Sequence, residues 1–160
     1  IRGKVTLVVG SNLSCHSIDK NPEYYYGYAL SLEQHQEESK ALKLYQQLTK
    51  KYPKEMIYLI ALSRLNLKSD RPKVQQSAVL SLQQLQSQYP YHPVINYYYA
   101  HALNSTKQFN KSIKVIQHFL QYADKKPIFY QLLSKVLTSY LDHTITHYLS
   151  IKNSYRLFDN

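Results

Sequence analysis

Asn21-Pro22-Glu23-Tyr24-Tyr25-Tyr26-Gly27-Tyr28-Ala29-Leu30 is followed, after a polar gap, by Lys40-Ala41-Leu42-Lys43-Leu44-Tyr45-Gln46-Gln47-Leu48 and then Tyr52-Pro53. The pattern returns at His92-Pro93-Val94-Ile95-Asn96-Tyr97-Tyr98-Tyr99-Ala100-His101-Ala102-Leu103. After a second polar gap comes Ser112-Ile113-Lys114-Val115-Ile116-Gln117-His118-Phe119. Two amphipathic segments joined by a short polar turn, repeated along a chain, point to an array of helical hairpins. Residues at i, i+3, i+4 and i+7 share a helical face, so Tyr25, Tyr28, Ala29 and Leu32 form one stripe. A small residue such as Ala29 lets a paired helix approach, and the large residues fill the space around the crossing. Proline suits the first helical turn, where its missing N–H has no intrahelical partner.

Tetratricopeptide (TPR) repeats run about 34 residues, with large and small residues at set offsets and a closing proline. Pro22 opens a first unit here and Pro53 closes it, with Ala41, Tyr45 and Leu48 in the second-helix places. Tyr45 is expected in the core between the two helices. The second unit carries Leu59, Leu62 and Ser63, then Ala78, Leu82, Leu85 and Pro90, with an insertion around Lys68-Ser69-Asp70-Arg71-Pro72. The third supplies Tyr99, Ala100, Leu103, Ser112, Ile116 and Phe119, and Pro93 and Pro127 stand one period apart. The fourth begins at Pro127 with Tyr130, Leu133, Ser134 and Leu137. Its second half is poorer, because Thr146 fits the small position but Ser150 and Asn153 stand at apolar places.

These offsets predict an all-α fold, a TPR-type helical-hairpin solenoid with a right-handed superhelix. About four hairpins are expected, at residues 22–55, 56–92, 93–126 and 127–160. Eight helices are expected, at about 22–34, 38–52, 55–68, 72–89, 93–105, 109–123, 127–141 and 143–157. Asn21 is a good N-cap before Pro22. Val5-Thr6-Leu7-Val8-Val9, bounded by Gly10-Ser11-Asn12, has the β-branched character of a strand, yet it has no strand to pair with. Residues 1–20 are therefore read as a linker or the end of a preceding helix, stopped at Gly10. The repeat domain is residues 21–160.

The chain has 160 residues, 44% of them hydrophobic, which suits a folded core rather than a disordered tail. It has 17 tyrosines and no tryptophan. Tyrosine buries its ring while its hydroxyl reaches water or a partner, which suits a thin two-layer stack. Net charge is +10, from 20 Lys and Arg against 10 Asp and Glu. The lysines are scattered over second helices and turns and read as solvated faces. Nucleic-acid binding would want a continuous basic stripe with stacking aromatics, whereas the aromatics here sit at core offsets. No apolar run is long enough to span a membrane.

Candidate chemistry is sparse. His143 and His147 are i, i+4 and could reach one metal, but Thr144 stands where a zincin helix places its general-base glutamate, and no third ligand is evident. Cys15, the sole cysteine, excludes an intramolecular disulfide. Its neighbour His16 does not make a catalytic pair by adjacency. The glycines at 3, 10 and 27 are isolated, so there is no phosphate loop. Glu37 and Glu38 belong at a helix start, where they favour the dipole. No catalytic or metal residue is assigned.

The segments Asn21 to Leu32, Ala41 to Pro53, Tyr89-Pro90 to Leu103, and Pro127-Ile128-Phe129-Tyr130-Gln131-Leu132-Leu133-Ser134 with Thr146-His147-Tyr148 are similar to another TPR region. They resemble the C-terminal repeats of bacterial M48-type zinc metallopeptidases, the periplasmic enzymes of outer-membrane protein quality control. Ile1-Arg2-Gly3-Lys4-Val5 resembles the Arg-containing linker helix before those repeats. The resemblance spans nearly the whole chain and implies a parent with zinc in an upstream domain and none in this fragment. It implies a periplasmic location, and partners such as unfolded or assembling outer-membrane proteins, their assembly machinery, or the parent's own protease domain. The alternative is a TPR scaffold of an unrelated complex, in the cytoplasm, with no protease attached. A third reading is an enzyme using His143 and His147.

The repeat offsets place a binding groove on the first helices of each unit. Its residues would be Tyr26 and Leu30, Ile60 and Arg64, Tyr97, His101 and Asn104, and Gln131 and Lys135. Aromatic anchors beside cationic and amide groups suit an extended peptide or a helix laid in the groove. Truncating such residues is expected to cost binding and to leave stability nearly untouched.

Overall fold

The computed structural model describes residues 21–122 and 127–156, with side chains as far as residue 150. All regular structure among them is helical: α1 (Pro22–Gln34), α2 (Glu38–Lys51), α3 (Met56–Asn66), α4 (Pro72–Gln88), α5 (Pro93–Ser105), α6 (Phe109–Tyr122) and α7 (Pro127–Arg156). The expectations for residues 1–20, including Cys15 and His16, lie outside the described residues. The chain divides into two compact units, Ile1–Tyr58 and Leu59–Asn160. No helix among the described residues is long and apolar enough to cross a membrane.

Local chemistry sets the helix starts. The Tyr24 N–H donates to the Asn21 side chain at 3.0 Å, capping α1. Pro22, Pro72 and Pro93 each occupy the first turn of their helices. The turns that close α1 and α5 are the same structure. Glu37 N–H donates to Leu32 O and Gln36 N–H to Glu33 O; Gln108 N–H donates to Leu103 O and Lys107 N–H to Asn104 O. This is the paired bonding of a Schellman motif, which needs a left-handed residue just past the helix. Gln36 and Lys107 supply it, with φ of 63° and 60°. Neither is glycine, so the turn is strained and the usual sequence marker is missing.

In the first unit, Tyr25, Ala29 and Leu32 of α1 and Ala41, Leu44, Tyr45 and Leu48 of α2 are buried. Tyr45 is fully enclosed, as expected, and its hydroxyl donates to Glu33 Oε1 at 2.6 Å. Tyr26 packs between Tyr45 and Tyr58, at ring separations of 5.9 and 5.5 Å.

In the second unit α5 packs on α4, α6 and α7, and α7 also packs on α6. Ser112, at the small position of α6, is wholly buried and donates to Ala100 O at 2.7 Å. A hydroxyl on a backbone carbonyl of the facing helix brings the two helices into close approach. Around it gather Phe109, Ile116, Phe119, Phe129, Leu132 and Val136, with Phe119 and Phe129 stacked at 4.3 Å. Asn96 ties the entry to α5, donating to Pro90 O at 2.8 Å and His92 O at 3.0 Å.

Two expectations for α7 fail. The helices placed at 127–141 and 143–157 are one continuous 30-residue helix, so no fourth hairpin forms there. No glycine or proline interrupts the sequence between Tyr130 and Arg156. Thr138, Thr144 and Thr146 return their hydroxyls to carbonyls four residues back, so these polar residues do not end the helix. The register is also displaced by one residue. Phe129, Leu132 and Val136 are buried, while Tyr130, Ser134 and Leu137 are exposed and Leu133 is half-buried.

Two stability predictions follow from this packing. Replacing Gln36 or Lys107 with glycine relieves a left-handed side chain and should stabilise by about 0.5–1 kcal/mol each, read by chemical denaturation. Tyr45→Ala should cost about 3–5 kcal/mol, seen as melting of the first unit. Tyr45→Phe should cost less, about 1.5 kcal/mol, the low end for a hydrogen bond to a charged acceptor such as the Glu33 carboxylate.

Candidate partner-binding face

The nine groove residues expected from the sequence fall in different environments. Tyr26 and Leu30, in the first unit, are half-buried, and Tyr26 is engaged with Tyr45 and Tyr58. Ile60 is 7% exposed and belongs to the core, which corrects its placement on an open groove. Arg64 is half-buried. The remaining five lie on α5 and α7.

Tyr97, His101 and Asn104 occupy one face of α5, since their spacings of four and three follow the helical repeat. Tyr97 stacks on His101 at 6.4 Å and meets Phe129 of α7 edge-on at 6.2 Å. It is half-buried against the core cluster, so its removal should also cost some stability, unlike that of a fully exposed groove residue. Gln131 and Lys135 are exposed, one turn apart on α7. Lys135 is close enough for its charge to act on His101. Asn104 Oδ1 is shielded and has no hydrogen-bond partner.

Electrostatics at this face are one-sided. Burial pushes the His101 pKa below the usual histidine range, and the Lys135 ammonium pushes it in the same direction. Both effects disfavour the charged form of the His101 ring. Tyr99, next to this face but turned into the core, has its hydroxyl pKa raised by burial. A carboxylate brought to the face would be attracted by Lys135 and would favour protonation of His101.

The sequence reading did not single out a second surface on α7. Tyr130, Leu137, Leu141, Ile145 and Tyr148 are 43–64% exposed and fall on one flank of the helix. Tyr130 and Leu137 stand at core offsets in the repeat pattern, and Leu141, Ile145 and Tyr148 continue their heptad-like spacing. Tyr91 and Tyr122, both exposed, meet at 5.3 Å, with the His118 ring 5.1 Å from Tyr122.

His143 and His147 are exposed, and the His143 ring lies against Phe109 at 5.5 Å. Among the described residues no three His, Cys, Asp or Glu side chains converge on a point where a metal could sit. No family model, curated protein or solved structure matches the chain.

The His101 environment sets a pH dependence. Its folded pKa lies below the unfolded value of about 6.5, so in the interval between them the unfolded chain binds the extra proton. Its contribution to stability is present above pH ~6.5 and is lost as pH falls toward the folded pKa. NMR titration of the His101 ring should give a midpoint below 6.5. Lys135→Met should raise that midpoint only part of the way, because burial is the larger cause. Full restoration to the ordinary value would assign the effect to charge alone.

Proposed function

We propose that this chain is a TPR-type repeat module that binds a protein or an extended peptide. In this reading it is the C-terminal docking part of a periplasmic M48-type zinc metallopeptidase. The peptidase chemistry and its zinc belong to the parent's catalytic domain, and the repeats hold substrates or partners near it. Unfolded or assembling outer-membrane proteins, or their assembly machinery, are the proposed partners.

Three observations support a repeat module. The α1/α2 and α5/α6 hairpins share one turn geometry, with left-handed Gln36 and Lys107 at equivalent places. The small residues Ala29, Ala41, Ala100 and Ser112 are all wholly buried. Both hairpins begin with a proline in the first turn. The M48 assignment rests on sequence resemblance alone.

The observation that carries the binding role is the α5–α7 face. There an aromatic ring, a half-buried histidine whose charged form is disfavoured and an exposed lysine lie together. Aromatic contact with a cation at its edge suits an extended segment that offers apolar and acidic side chains.

The test is a titration of the purified chain with a urea-unfolded outer-membrane β-barrel protein diluted into buffer. Lys135→Ala should weaken binding by about 0.2–1 kcal/mol at low salt, and the difference should shrink as salt screens the charge. His101→Ala should also weaken it, whereas Lys114→Ala on α6 should not. Equal affinity in all three variants would place binding elsewhere.

A further inference from the structure

We propose that the exposed side of α6, with the α4–α5 corner beside it, is a stacking site for single-stranded nucleic acid. Tyr91, Tyr122 and His118 form its platform. Tyr91 is 60% and Tyr122 63% exposed, and their rings meet at 5.3 Å, inclined by 62°. The exposed His118 ring lies 5.1 Å from Tyr122, inclined by 52°. Rings tilted in this way leave most of their own surface open, so flat groups can be taken up against them. Most of the aromatics singled out by the repeat stand at core offsets. Tyr91 and Tyr122 do not, and the fold leaves them outside the core.

A row of cations continues the platform. At ~100° per residue, Lys111, Lys114, His118 and Tyr122 fall within an arc of about 80° on α6, and all four are exposed. Ser112, Ile116 and Phe119 take the other side of the helix into the core. Lys111 Nζ donates to Gln108 Oε1 at 3.0 Å, which steadies the far end of the row. From Lys111 to Tyr122 the helix rises about 16 Å, room for a few nucleotides. Cations along a backbone track beside rings that take bases are the two parts of a single-strand site.

Charge selects the occupant. Residues 59–160 hold 12 Lys and Arg against four Asp, a net +8, which leaves +2 of the chain's +10 to residues 1–58. No Asp or Glu occurs between Arg71 and Ala123, so α4, α5 and α6 carry no carboxylate. Such a surface draws a polyanion. A bilayer would want aliphatic side chains or tryptophan between the cations, and Gln117 and Gln121 stand exposed there instead. An acidic peptide would engage the cations and leave the rings unused. A single strand uses both, phosphates on the lysines and bases on the rings, and the glutamine amides offer donors and acceptors to base edges. The site is separate from the α5–α7 face, since none of its residues lies on α5 or α7.

Fluorescence anisotropy of a labelled oligothymidylate of about ten nucleotides, titrated with the full chain at low salt, tests this. Tyr91→Ala and Tyr122→Ala should each weaken binding by about tenfold, whereas Tyr122→Trp, which keeps a stacking ring, should not weaken it. Lys111→Ala and Lys114→Ala should each weaken it several-fold and lower the slope of log affinity against log salt by about 0.7. Lys50→Ala, the same loss of charge in the first unit, should change it less than twofold. All these sites are exposed, so thermal unfolding should be unchanged. An oligouridylate of the same length is run beside it; either sugar supports the site, and the tighter of the two names its source. No binding at low salt would overturn the proposal. So would binding indifferent to the loss of both rings, equal competition by polyglutamate, which offers charge without bases, or a chain held by anionic vesicles and not by either oligonucleotide.

Discussion

The α5/α6 hairpin depends on one close approach, where the Ser112 hydroxyl bonds to the Ala100 carbonyl at 2.7 Å. A residue larger than serine would push α5 and α6 apart and lose this bond. The equivalent residues of the first hairpin, Ala29 and Ala41, are wholly buried too. Once small residues define the crossing, the side chains a turn away must be large to fill the wedge. Tyr45 and Leu48 do so in one hairpin, and Ile116 and Phe119 in the other. The short turn then has to reverse the chain within a few residues, which requires the left-handed step at Gln36 and at Lys107.

That hierarchy explains what could be read from the sequence. Small-and-large spacing is a one-dimensional signal, so Ala29, Ala41, Tyr45, Ala100, Ser112 and Ile116 were legible before any coordinates. The turns were legible as polar gaps, but their left-handed residues were not, because the glycine that usually marks them is replaced by glutamine and lysine. The register of α7 was misread for a definite reason. A helix with two apolar stripes satisfies the 3.6-residue period twice, once through Phe129, Leu132 and Val136 and once through Tyr130, Leu137 and Leu141. Periodicity alone cannot say which stripe meets the core. Packing decides it through Phe119, whose ring stacks on Phe129.

The candidate face was legible in part, for a related reason. Tyr97, His101 and Asn104 share a helical face by spacing alone, and Gln131 and Lys135 share another. What sequence could not supply is how deep each group sits. Ile60 is core, and Tyr97 is divided between core and surface. The depth of His101 determines its protonation, since burial and Lys135 both disfavour the charged ring. A pattern of residue types locates such a group; its chemistry comes from the helices packed around it.

The helix α7 thus presents three sides with different chemistry. Its core side is anchored by aromatic stacking, one flank carries Gln131 and Lys135 beside α5, and the other carries the apolar stripe. The anchoring contacts end at about Tyr140 and His143, whose rings lie against Phe109. Beyond them every described residue from Leu141 to Ser150 is exposed, so that half of the helix rests more on its own backbone bonding than on burial against the core.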